Sequence, residues 1–164
     1  MTKHRKKVLR VIHIFIASPS DLGAERKVFP TLIHKINEIK AKSKGILLEP
    51  LGWEDTLPGK GRPQAKINED LRKGDLVVML LWKRWGTPTG KYSSGFEEEY
   101  EIAREEKKEI WLYFRELPGD MVADPGQQLR KVLAFRNRVE AERELLYRRY
   151  EDEKAWQGQF LKDL

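Results

Sequence analysis

Leu76-Val77-Val78-Met79-Leu80-Leu81-Trp82 is an apolar run without a polar break. Its length suits a strand better than a helix. Its lack of alternation means that neither face of that strand meets water. It reads as the central strand of a parallel sheet clad by helices on both sides, and the rest of the chain is read outward from it.

Upstream, residues 11–17 form a second strand in which only His13 interrupts the apolar run. Ser18-Pro19-Ser20-Asp21 breaks it and offers hydroxyl and carboxylate caps for a helix over 22–42. There Val28, Phe29, Leu32, Ile33, Ile36 and Ile39 recur at helical spacing, and Pro30 predicts a kink or a later start. Residues 46–51 are a strand, 53–63 a polar loop and 64–72 a short helix. Downstream, a Gly/Pro/Thr/Ser-rich loop over 86–94 leads to a helix over 95–108 and a strand over 110–114. Leu117-Pro118-Gly119-Asp120 signals a turn. Residues 127–164 are helix-rich, with 145–147 as a short fifth strand. Alternating strands and helices imply right-handed crossovers, hence an α/β domain with a largely parallel sheet of four or five strands. Such sheets bind ligands beyond the carboxyl ends of their strands. Function is therefore sought in 18–21, 53–62 and 82–99.

Composition sets limits. The 164 residues are 40% apolar and 35% charged, which suits one compact domain over 11–164 behind a basic tail at 1–10. Without cysteine there is no disulfide or thiolate metal site, and the chain is read as cytoplasmic. His4, His13 and His34 lack a metal-ligand spacing, so no metal or other cofactor is expected. No apolar run approaches the roughly 20 residues that span a bilayer. The +6 net charge gathers at His4-Arg5-Lys6-Lys7, 40–44 and Lys83-Arg84, among acidic residues that make a solvated surface the plainer reading. The closing pattern Trp156, Phe160, Leu161, Leu164 has no glycine or proline terminator, as expected of the amino-terminal part of a longer protein.

Three familiar motifs fail. Gly86-Thr87-Pro88-Thr89-Gly90-Lys91-Tyr92 has one residue too few between its glycines, and tyrosine where a phosphate loop needs Ser or Thr. Ser18 to Gly23 lacks the glycine fingerprint of dinucleotide-binding folds. No Gly-x-Ser-x-Gly elbow supports a hydrolase triad.

Ser94-Gly95-Phe96-Glu97 fits a capping box, with Ser94 as N-cap and Glu97 reaching back to its amide. On a wheel of about 100° per residue from Phe96, Tyr100, Ala103 and Ile102 define an apolar arc. Glu99 falls within it at about 300°, whereas Glu97, Glu98 and Glu101 fall outside. A carboxylate on a buried arc is either paired, here with Arg26 or Arg62, or faces a cleft that uses it. Trp82 and Trp85 follow the central strand and Trp53 the second strand, so their rings either stack a base or pack a rim. Arg62 has the fork geometry for phosphate. Ser18 and Ser20, at a helix start, either seat an anion or simply cap.

With these residues in view, the sequence resembles a TIR-like domain, and more closely the family catalogued as domain of unknown function 4062, found at the amino end of large signalling ATPases. The resemblance runs from about Val11 to Leu164. It is carried by Ile14 to Leu22 with Glu25-Arg26, by Trp53-Glu54-Asp55 with Pro58-Gly59, and by Asp75 to Val78. Trp85-Gly86-Thr87-Pro88 and Ser94 to Tyr100 complete it. It implies a flavodoxin-like three-layer sandwich, self-association through Pro58 and Gly59, and downstream ATPase or repeat domains. It also implies that Glu99 holds the place of the catalytic glutamate of TIR NAD-cleaving enzymes. Ser18, Ser20, Asp21, Trp53, Arg62, Trp82, Trp85 and Ser94 would then line the site for NAD or a related nucleotide. Two departures stand out. The cysteine that often precedes that glutamate is absent, and Trp82-Lys83-Arg84 replaces the aspartates of deoxyribosyltransferases, which argues against a transferase on free nucleosides.

Two readings follow. The first is an NAD glycohydrolase effector of signalling or defence. The second is a catalytically inert homotypic-interaction module on the same fold. Nucleic-acid binding through the basic clusters ranks third, without a motif behind it.

Overall fold

The computed structural model describes residues 8–52 and 63–164. Its core is a five-stranded, wholly parallel sheet in the order β2-β1-β3-β4-β5. The strands are β1 (Arg10–Ala17), β2 (Ile46–Leu51), β3 (Leu76–Leu81), β4 (Glu109–Arg115) and β5 (Tyr147–Tyr150). This is the flavodoxin-like order, in which the chain reverses its winding between the first and third strands.

Every residue of β3 is buried, as its unbroken apolar run predicts. Its side chains alternate between two cores. Val77, Met79 and Leu81 meet Leu71 of α2 (Gln64–Lys73), Phe96 and Tyr100 of α3 (Gly95–Glu105), and Phe135 of α5 (Gln127–Glu142). Leu76, Val78 and Leu80 meet Phe29 and Ile33 of α1 (Gly23–Ile36), with Trp156 and Phe160 of α6 (Glu153–Asp163). The result is three layers: α1 and α6 on one face, α2, α3 and α5 on the other.

The helix expected over 22–42 resolves into parts. A 3-10 turn, Ser20–Leu22, precedes α1, and a π-helical stretch, Asn37–Ala41, follows it. Pro30 does not end α1. The hydrogen bond lost there is outweighed by Phe29, Leu32, Ile33 and Ile36, all buried against the sheet. In the π-helical stretch the buried Asn37 uses its carboxamide as a strand would. Its Nδ2 donates to the Leu48 carbonyl at 2.9 Å and its Oδ1 accepts from the Leu48 amide at 2.8 Å, on the outer edge of β2.

Other boundaries moved for identifiable reasons. α3 stops at Glu105 rather than Lys108, because Lys107 turns left-handed at φ 54°. The turn at 117–120 opens a short helix, α4 (Gly119–Ala123). The fifth strand lies at Tyr147–Tyr150 rather than at 145–147. Leu146 is 94% exposed, whereas Tyr150 is 4% exposed and Tyr147 packs edge-on to Phe114.

Candidate functional site

The carboxyl ends of β1 and β3 open on a cleft of about 570 Å³ at the reversal of strand order. One wall is the β1–α1 turn, with Ser18, Pro19, Ser20 and Arg26. The opposite wall is the start of α3, with Gly95, Phe96 and Glu99. Gln64 and Ile67 of α2, with Arg84 to Thr87 and Thr89 of the loop after β3, complete the lining.

Glu99 is 8% exposed and contributes to the cleft wall, where the helical wheel places it. Its Oε1 accepts from Gln64 Nε2 at 3.1 Å. The same Gln64 amide donates to Asn68 Oδ1 at 2.9 Å, and Asn68 Nδ2 donates to Glu98 Oε1 at 3.1 Å. A row of amides on α2 thus holds a row of carboxylates on α3. This approach explains Gly95: a Cβ there would lie 2.5 Å from Gln64 Oε1.

Arg26, 7% exposed, ties the opposite wall together. Its Nη1 donates to the Gly52 carbonyl at 2.7 Å, and its Nη2 donates to the Ser18 carbonyl and, at 3.0 Å, to Ser18 Oγ. Gly52 has φ +83°, and a Cβ there would meet the Ile16 carbonyl at 2.7 Å. The guanidinium therefore closes the ends of β1 and β2 around a position that only glycine fills comfortably.

Two side chains fix the loop after β3. Asp21 Oδ2 accepts from the amides of Lys83 at 3.0 Å and Arg84 at 2.9 Å. Gln128 Oε1 accepts from the amides of Trp85 at 2.8 Å and Gly86 at 2.9 Å. Four consecutive amides are thus held, two from the α1 side and two from α5.

The other expected site residues divide. Ser18 and Ser20 line the cleft, with the Ser18 hydroxyl engaged by Arg26. Asp21 faces the loop amides instead of the cleft wall. Trp85 lines the cleft but is 4% exposed, because Phe96 and Phe135 pack on it and its Nε1 donates to Ser93 Oγ at 2.8 Å. Trp82 lies on the other face of the sheet and does not line the cleft. Lys83 Nζ and the Arg115 guanidinium sit over its ring at 3.7 and 4.1 Å. Strand parity accounts for this, since residues 81 and 82 must face opposite ways. Ser94 is fully buried and caps α3, accepting from the Glu97 amide at 3.0 Å. The reciprocal half of the capping box is shifted, because Glu97 accepts from the Ser93 amide at 2.7 Å and from the Ser93 hydroxyl. Trp53, Arg62, Pro58 and Gly59 lie outside the described residues. Gln64, Asn68, Gln128 and the buried Thr89 Oγ1, which has no hydrogen-bond partner among the described residues, are site features that the sequence reading missed.

Among the described residues no group of three or more His, Asp or Glu is arranged to hold a metal, and no helix is long and apolar enough to cross a membrane.

Strand order and cleft position define a flavodoxin-like α/β domain with its pocket at the topological switch point. The chain belongs to the family described as domain of unknown function DUF4062, which it matches over residues 13–164. No curated protein matches it. Among solved structures, the crystal structure of the RPS4 and RRS1 TIR domain heterodimer is similar at 11% identity, over 94% of this chain and 95% of that one. The TM-score is 0.46, so the fold assignment rests on the strand order.

Proposed function

We propose that this domain handles a nucleotide in the switch-point cleft and cleaves the nicotinamide–ribose bond of NAD, with Glu99 as the catalytic carboxylate. One observation carries the reading: a buried carboxylate, oriented by Gln64, on the wall of the cleft. In this reaction the N-glycosidic bond breaks and nicotinamide leaves neutral, taking the electron pair. The ribosyl carbon left behind has oxocarbenium character, which the Glu99 carboxylate stabilises at close range. Water then adds at that carbon and loses a proton, giving ADP-ribose. Ser18, Ser20 and Arg84 line the cleft where phosphate oxygens would lie.

The second reading, an inert interaction module, is favoured by the tryptophans. Trp85 has its ring in the core and Trp82 lies away from the cleft, so neither presents a free stacking face there.

Nicotinamide release by the purified domain, dilute and then clustered on a scaffold, decides between them. Release that disappears in Glu99→Ala, with the circular dichroism spectrum kept, supports catalysis. Absence of release in both states, with NAD failing to raise the melting temperature, overturns it in favour of the module.

A further inference from the structure

We infer that the chain carries a second, separate anion site for a single phosphate group, at the carboxyl ends of β4 and β5 and centred on Arg136. This inference is independent of the reading of the NAD cleft. A pocket of about 140 Å³ lies there, walled by Arg115, Arg136 and Arg149 with Phe114, Leu117 and Val122. At about 30 Å³ per water it holds some four or five waters, close to the bulk of a phosphate group.

The three guanidiniums are not equivalent. Arg115 is committed to the buried Glu25, its Nη1 donating to Oε1 at 3.0 Å. Arg149 lies 3.6 Å from Glu140 and donates to Tyr147 Oη at 3.4 Å. Arg136 forms no ion pair among the described residues, and its Nε is buried without a hydrogen-bond partner. That N–H is closed to water and therefore to a phosphate oxygen as well, so an anion in the pocket is met by the terminal Nη groups of Arg136, with Nε beside them. Glu116, the carboxylate in the same wall, acts on Arg149 through its charge. The pocket therefore offers the Arg136 guanidinium, without an ion pair among the described residues, beside the Arg149 cation, while the Arg115 guanidinium is turned to Glu25 and Trp82 on the other face of the sheet. A planar guanidinium matches phosphate oxygens two at a time. Leu117 and Val122 supply an apolar lip, which suits the carbon side of a phosphate monoester as well as the free ion.

The test is a titration of the whole chain, labelled with ¹⁵N, using inorganic phosphate and then glycerol phosphate, against chloride at matched ionic strength. The Arg136 Nε–Hε cross-peak, assigned by its loss in Arg136→Lys, is expected to move saturably with phosphate and to stay in place with chloride. Arg136→Gln is expected to weaken phosphate binding at least tenfold, and Arg84→Gln, in the other cleft, less than twofold. Tighter binding of the monoester than of the free ion identifies a phosphorylated ligand, and equal or weaker binding identifies inorganic phosphate. An Arg136 cross-peak that moves no more than in chloride, or binding lost in Arg84→Gln and kept in Arg136→Gln, overturns the inference. If Arg136→Gln fails to fold, the titration of the unaltered chain decides alone.

Discussion

Asp21→Ala is the sharpest probe of how the cleft is built, because Asp21 was expected at the ligand and is found serving the backbone. The substitution removes one acceptor from two amides, Lys83 at 3.0 Å and Arg84 at 2.9 Å. A hydrogen bond to a charged group contributes about 1.5–3 kcal/mol, but the Arg84 end is exposed and water replaces part of the loss. The total should be about 2 kcal/mol, equivalent to an opening equilibrium roughly 30-fold more favourable at this loop. Amide hydrogen exchange read residue by residue is the assay. Residues 83 and 84 should exchange about 30-fold faster, with a smaller change at 85 and 86, which Gln128 still holds. Gln128→Ala should give the mirror image, about tenfold at 85 and 86, because its acceptor is neutral. If the loss is global rather than local, the melting temperature should fall by about 4–8 °C. Unchanged exchange at 83 and 84 in Asp21→Ala, together with weaker NAD binding, would refute the anchoring role and return Asp21 to the ligand.

Two further outcomes are expected. Gly95→Ala should melt below the unaltered chain, because a helix preference of up to about 1 kcal/mol is outweighed by losing a hydrogen bond of about 1.5–3 kcal/mol to the buried Glu99. Its Cβ should displace the Gln64 amide from Glu99, seen as a moved Gln64 side-chain NH₂ cross-peak and roughly tenfold less of any nicotinamide release, as in Gln64→Ala. Alkaline pH should unfold the chain. Burial, reinforced by the charge and hydrogen bond of Glu25, pushes the Tyr150 phenol well up, and burial with the Asp163 hydrogen bond does the same for Tyr113. Both phenols are neutral when folded, so their contribution is complete below the ordinary tyrosine value of about 10 and is lost as pH rises above it. Phenolate absorbance of these two should therefore appear together with loss of the circular dichroism signal. Tyr150→Phe should flatten that pH dependence; an unaltered steepness would count against this account.

The legible parts of the chain were those governed by local periodicity. β3 announced itself because both its faces are covered, and Glu99 because one turn of helix suffices to place it beside Ile102 and Ala103. The fifth strand lies later than the sequence suggests because its burial is carried by Tyr147 and Tyr150 around two exposed arginines, while Leu145 and Leu146, the apolar residues of the expected strand, precede it. Trp82 and Trp85 stand three residues apart, yet the sheet separates them. Composition cannot distinguish a ring that stacks a ligand from one that fills a core. Gln64 facing Glu99, Arg26 facing Gly52 and Gln128 facing Trp85 are contacts between distant parts of the chain. No spacing in the sequence foretells them.

The carboxamide of Asn37 on Leu48 has a consequence for how copies of this chain can meet. A sheet grows by lending its outermost amides and carbonyls to a newcomer. On one flank the Leu48 pair is already occupied, and Pro50, two positions on, has no N–H to lend. On the other flank β5 is only four residues long and carries the exposed, like-charged Arg148 and Arg149. Lateral polymerisation into a continuous ribbon is thereby discouraged at both ends. Assembly of these domains is steered instead towards side chains on helices and loops.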